Sequence, residues 1–146
     1  MIKNSINSQD TLKFASEIAK ITPVGKVIAL IGDLGTGKTT FAKGFADVLC
    51  IRENVGSPTF KLVSEYQGNP HNLYHIDCYR LRDEIDFLNI GGERFLFPEN
   101  AVTLIEWANI IENVLFDDII KIHFKRSKIS SDHRQITVTG IDFDGC

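Results

Sequence analysis

Apolar residues recur at helical spacing between Thr11 and Ile21, where Leu12, Ala15, Ile18 and Ala19 fall on one side, and Pro23 follows the run. This predicts a first helix with Asp10 as its N-cap. The uninterrupted run Val27-Ile28-Ala29-Leu30-Ile31 predicts a strand buried on both faces of a parallel sheet. From Thr40 to Leu49 the helical period returns, with Phe41, Phe45, Val48 and Leu49 in one stripe. Lys61 to Tyr66 and Leu73 to Tyr79 alternate as strands, separated by the turn formers Gln67-Gly68-Asn69-Pro70, and predict an antiparallel pair. Asp83 to Leu88 reads as a short helix and Gly91-Gly92 as a break. Ala101 to Ile105 is a second apolar strand, ending at Glu106 and Trp107, and Ile119 to Phe124 with Gln135 to Ile141 form a terminal strand pair. The pattern predicts an α/β fold: a mostly parallel central sheet with an antiparallel strand pair and helices on both faces.

A chain of 146 residues with 43% hydrophobic and 24% charged residues has the size and balance of one globular domain, and residues 1–146 read as such. The formal net charge of -3 argues against a protein that grips nucleic acid through a broad basic face. Cys50, Cys78 and Cys146 show no CxxC spacing, so neither a disulfide framework nor a zinc site is indicated. No stretch approaches a membrane span, and Met1 to Asp10 lacks the charged start and apolar run of a secretory leader, so a cytosolic location without membrane contact is expected.

Chemistry enters at Gly32-Asp33-Leu34-Gly35-Thr36-Gly37-Lys38-Thr39, which fits G-x-x-x-x-G-K-[ST] at every fixed position between an apolar strand and a helix. Glycines let successive backbone N–H groups turn inward, and the following helix directs its positive end at bound phosphates. The segment therefore predicts a P-loop NTPase-like domain. Lys38 would reach the β and γ phosphates and the Thr39 hydroxyl would hold Mg²⁺. Gly35, Thr36, Gly37, Lys38, Thr39 and Thr40 are the expected nucleotide contacts.

Glu106, at the end of an apolar strand, is the candidate second ligand for Mg²⁺, either directly or through a water. Strand alternation puts His75, Asp77 and Tyr79 on one face. Asp77 either orients an attacking water or holds a water of the cation; the plainer reading is an acid pinned by Arg80, Arg82 or the backbone. His75, a lone histidine on a strand, reads as a satisfied packing residue. Ser57-Pro58-Thr59-Phe60 suits a switch-like loop in which Thr59 offers a hydroxyl to metal or phosphate, or else caps the next strand. Trp107 either walls the site or belongs to the core.

GDLGTGKTTFAKG (Gly32 to Gly44), SPTF (Ser57 to Phe60), YHIDCYRL (Tyr74 to Leu81) and IEW (Ile105 to Trp107), in this order, resemble the bacterial TsaE (YjeE) family, with the match running from about Thr11 to Thr139. The resemblance implies an ATPase needed to make threonylcarbamoyladenosine, the modified base beside the anticodon in tRNA. It implies TsaD and TsaB as partners, with tRNA met through that assembly and the carbamoyl transfer carried out by TsaD. By the same matching Lys38 holds phosphate, Thr39 and Glu106 hold Mg²⁺, Asp77 supports hydrolysis, and Arg134 contacts the nucleotide. Thr36 stands where the family commonly has Ala, and Cys78 where it has Leu or another apolar residue; neither change removes a group that the chemistry needs.

Two other classes remain open on the residues alone. A small-molecule kinase would need an acceptor pocket and usually an arginine-rich lid, whereas Arg80 and Arg82 are the one close arginine pair. A nucleotide-dependent binding module without significant turnover would share the phosphate loop. A GTPase is disfavoured, because no N-K-x-D segment is present and the D-x-x-G match at Asp142 to Gly145 lies away from any switch position.

Overall fold

A computed structural model describes residues 1–32, 37–53, 55, 62–127 and 133–141. In chain order the elements are β1 (Ile2–Ser5), α1 (Ser8–Ile21), β2 (Val27–Gly32), α2 (Lys38–Val48), β3 (Val63–Tyr66), β4 (Asn72–Asp77), α3 (Glu84–Asn89), β5 (Ala101–Glu106), β6 (Ile120–Arg126) and β7 (Arg134–Thr139). Tight 3-10 segments at Gly92–Leu96 and Ala108–Val114 complete them.

The strands form one seven-stranded sheet in the order β1-β7-β6-β2-β5-β4-β3. Its middle is parallel: β2 pairs with both β5 and β6, and β4 pairs with β5. Both margins are antiparallel, through β3 with β4 on one side and β7 with β6 and β1 on the other. The sheet is therefore mixed, not mostly parallel with one antiparallel pair. The part outside the expectation is β1, whose sequence IKNS has no strand alternation and which forms on pairing with β7, Ile2 opposite Thr137. The two apolar runs do lie side by side, with Ala29 opposite Ile105, and all six residues of β5 are buried.

On one face, Phe14, Ala15 and Ile18 of α1 and Phe41, Ala42 and Phe45 of α2 pack over Ile28, Leu30, Leu104 and Ile122. Phe41 meets Phe14 edge-on at 6.4 Å and Phe124 at 5.7 Å between ring centroids. Truncating such fully buried rings costs about 3–5 kcal/mol. The two helices approach so closely that a Cβ on Gly44 would lie 2.6 Å from Leu12 O, so only glycine fits there. On the other face Phe87 of α3, Phe95, Ala108 and Ile111 cover Ala29, Ile76 and Ile105.

The start of α1 differs from the expectation. Asn7, in extended conformation, is the N-cap and its side chain accepts the Asp10 N–H at 2.9 Å, while Asp10 Oδ2 accepts the Ile6 N–H at 3.1 Å. Asp10 thus sits at the third helical position, capped by Asn7 and itself holding the N–H of Ile6, the residue before the cap.

Candidate functional site

Parallel strands place their carboxyl ends together, and in doubly wound sheets the loops at those ends build the ligand crevice. Here β2 runs into the glycine-rich segment, and α2 leaves it at Lys38 behind Gly37, whose φ of 104° suits a residue without a side chain. Asp33, Leu34, Gly35 and Thr36 lie outside the described residues, as do Ser57, Pro58, Thr59 and Phe60.

Because α2 begins at Lys38, its first turn sets Lys38 and Thr39 over the ends of β2 and β5. Thr39 Oγ1 donates to Glu106 Oε1 at 3.3 Å. Lys38 is buried, its Nζ donating to Gly32 O and sitting 3.6 Å from the centre of the Trp107 ring. Trp107 holds φ 56° and ψ 38°, a left-handed conformation that costs a side-chain-bearing residue roughly 1–3 kcal/mol. Tyr79 also packs against it, ring centroids 5.1 Å apart and tilted by 48°. Trp107 accordingly walls the site.

Glu106 is 3% exposed, and a carboxylate at that depth needs partners. The second one is His75, Nε2 to Oε2 2.6 Å, which is itself 2% exposed. The packing role expected for His75 is only half of what it does. No periodicity pairs residues 31 positions apart, and the signal available was the shared face of β4.

Asp77 ends β4 opposite Glu106. Its Oδ1 accepts the Tyr79 N–H at 3.0 Å, and its own N–H donates to Leu62 O. Arg82 does not brace it: the Arg82 guanidinium pairs with Asp86, Nε to Oδ2 3.1 Å. That contact, on an exposed side chain, raises the Arg82 pKa and lowers that of Asp86. Cys78, directed to the opposite face, is pushed up to about 12 by burial and then by the Asp77 charge. Thr40 stands in the first turn of α2. Arg134 starts β7, at the same end of the sheet but two strands away from β2, with Nη1 donating to His133 O at 3.0 Å. The structure thus gathers Lys38, Thr39, Asp77 and Glu106 at adjacent element ends and leaves Arg134 at a distance.

Among the described residues no helix is long and apolar enough to cross a membrane. Nor does any group of three or more His, Cys, Asp or Glu among them form a metal cage.

Fold and site together define an α/β protein with a lysine, a hydroxyl and a buried acid brought together where parallel strands end. A family model described as "Threonylcarbamoyl adenosine biosynthesis protein TsaE" matches residues 5–136, and the chain belongs to this family. It is 40% identical over 137 residues to the tRNA threonylcarbamoyladenosine biosynthesis protein TsaE of Bacillus subtilis (strain 168), covering 94% of this chain and 84% of that protein. The protein of the same name from Treponema pallidum (strain Nichols) is 35% identical, with 92% and 96% covered. The crystal structure of Bacillus subtilis YdiB superposes with a TM-score of 0.80 at 35% identity, covering 97% of this chain and 86% of that one.

Proposed function

We propose that this chain is a Mg²⁺-dependent P-loop ATPase that supports threonylcarbamoyl modification of the adenosine beside the anticodon of tRNA, acting with TsaD and TsaB. The observation that carries the reading is the Thr39 Oγ1 to Glu106 Oε1 contact of 3.3 Å at the foot of a G-x-x-x-x-G-K-T segment. The family of the matching proteins supports the tRNA side of it.

The donor set suits Mg²⁺. A hydroxyl and a carboxylate are hard oxygen donors, and a pair of them leaves the remaining positions to waters and phosphate oxygens, as this cation prefers. When bound, Mg²⁺ would neutralise charge developing between the β and γ phosphates. Thr39 and Glu106 would hold it, the Gly35 to Thr40 backbone would orient the phosphates, and Lys38 would leave the Trp107 ring to place its charge on the γ-phosphate. Asp77, exposed enough to meet water at the end of β4, would orient the attacking water. Arg134 would touch the nucleotide from the β7 side.

Phosphoryl transfer depends on positioning and charge stabilisation, and an assisted site can be about 10³ to 10⁵ faster than one lacking an arginine finger. Arg82 pairs with Asp86 on the surface and is not preplaced at the site, which fits slow turnover by the chain alone. The test is steady-state phosphate release from ATP by the purified chain, with and without saturating TsaD and TsaB. Slow release that accelerates in the assembly supports the proposal. Rapid release that the partners leave unchanged points to a self-sufficient enzyme such as a kinase, and nucleotide binding without release in either state points to a binding module.

A further inference from the structure

Glu106 distributes its two oxygens unequally. Oε1 faces the Thr39 hydroxyl, while Oε2 is held 2.6 Å from His75 Nε2. As a carboxylate Glu106 can only accept, and the contact then has His75 Nε2 as donor. The contact is diagonal across neighbouring strands: Leu104 stands opposite His75 and Asp77 opposite Glu106, and the imidazole leans two residues along the sheet to reach the acid.

Packing alone would not select this residue. His75 lies between the apolar floor of Leu73 and Leu104 and the end of the sheet, where a leucine would fill a comparable volume without a buried polar edge. A buried polar pair is a weak source of stability compared with apolar residues of similar size, because both groups must leave water. Its gain is geometric: a carboxylate gripped at one oxygen by a buried ring is restrained against rotation about its terminal bond.

We infer that His75 is a positioning residue for the cation site, holding Glu106 by Oε2 so that Oε1 alone is presented beside Thr39. Glu106 then acts through one oxygen, and the strand that carries Asp77 also fixes the acid of its neighbour. This rests on the ATPase reading above. Partners of metal-holding side chains typically alter metal affinity about 10- to 100-fold when removed.

The experiment measures ATP affinity of the full chain by titration, with Mg²⁺ and with chelator, for wild type, His75→Leu and His75→Gln, alongside thermal melting. His75→Leu removes the donor, whereas the Gln amide can place an N–H close to the position of Nε2. The expected result is that His75→Leu lowers the Mg²⁺-dependent gain in ATP affinity about 10-fold or more and leaves the chelator value unchanged. His75→Gln should restore most of that gain. If His75→Leu does not fold, His75→Asn, whose amide is too short to span to Glu106, is expected to show the same selective loss. Wild-type Mg²⁺ dependence in the donor-less variant overturns the inference and leaves the ATPase reading intact, as does an equal fall with and without Mg²⁺ or a failure of Gln to rescue. A wild-type chain whose ATP binding ignores Mg²⁺ overturns both.

Discussion

At opposite ends of β2, β5 and β4, buried and half-buried polar side chains are bonded in different ways. Near the amino ends of these strands they attach to backbone: Thr22 Oγ1 donates to Ile18 O at 2.6 Å, His71 Nδ1 donates to Asn72 O at 3.0 Å, and Asn72 Oδ1 accepts the Gly68 N–H at 3.2 Å. Thr22, His71 and Asn100 line a mostly apolar cavity of about 450 Å³ with Ala19, Leu49 and Pro70. At the carboxyl ends Lys38 and Asp77 also touch backbone, but there side chains hold one another as well: Thr39 to Glu106, Glu106 to His75, and Lys38 on the face of Trp107. The first arrangement closes turns and a helix end, so its loss is expected to appear in stability. The second fixes distances between chemical groups drawn from three elements, so its disturbance is expected to appear in binding and turnover.

Lys38→Ala puts that distinction under the greatest strain. Removing one preorganised donor from a site of developing charge typically costs roughly 10² to 10³ in kcat, and ATP hydrolysis in the assembly is expected to fall at least that far. Turnover within a few-fold of wild type would mean that another group meets the γ-phosphate.

The two acids should then separate. Glu106→Ala is expected to weaken Mg²⁺-dependent ATP binding by about 10-fold or more. Asp77→Ala should leave ATP affinity nearly intact and lower kcat, since a water-orienting group acts mainly in the transition state. Equal losses of affinity in both variants, titrated with and without Mg²⁺, would refute this division.

At the other end, Thr22→Val should cost about 1 kcal/mol of stability, the ordinary worth of one hydrogen bond, because the Thr22 N–H still serves Ile18 O. Chemical denaturation measures the loss, and ATP affinity should not change. A shift in affinity would show that the two ends are energetically coupled.

The smallest effect concerns Cys78. With its thiol pushed up to about 12 from 9.0, it stays neutral in the fold at pH values where the unfolded chain ionises. Its contribution to stability is complete below 9.0 and declines as pH rises toward about 12. Iodoacetamide at mildly alkaline pH should therefore label exposed Cys50 and spare buried Cys78, read by peptide mass mapping.

Much of this was legible in the sequence where a short-range rule governs. The run at Val27 is apolar throughout and the one at Ala101 is broken only by Thr103, whose hydroxyl donates to Phe95 O, because β5 is buried along its whole length and β2 over Val27 to Leu30; Glu106 stood out by ending one of them. Asp10 was a reasonable N-cap by residue type, but the Asn7 side chain three residues earlier accepts the Asp10 N–H and decides the helix start. β1 was illegible because its strand character comes from β7, more than a hundred residues away. The 3-10 segment at Ala108–Val114 escaped for another reason, since it kinks at Ile111 and never completes a helical stripe. His75 shows the limit most clearly: alternation gave its face, but its partner is set by the register of β4 against β5.

Trp107 is the sole tryptophan of the chain, and its left-handed backbone holds the indole under the Lys38 ammonium. Indole emission is sensitive to a charge resting on the ring, so the protein carries a native optical probe at the phosphate lysine. Excitation at the red edge of the aromatic band selects this one chromophore without any label. A stopped-flow trace of its emission on mixing with ATP would time the departure of the lysine, separately from any later release of phosphate.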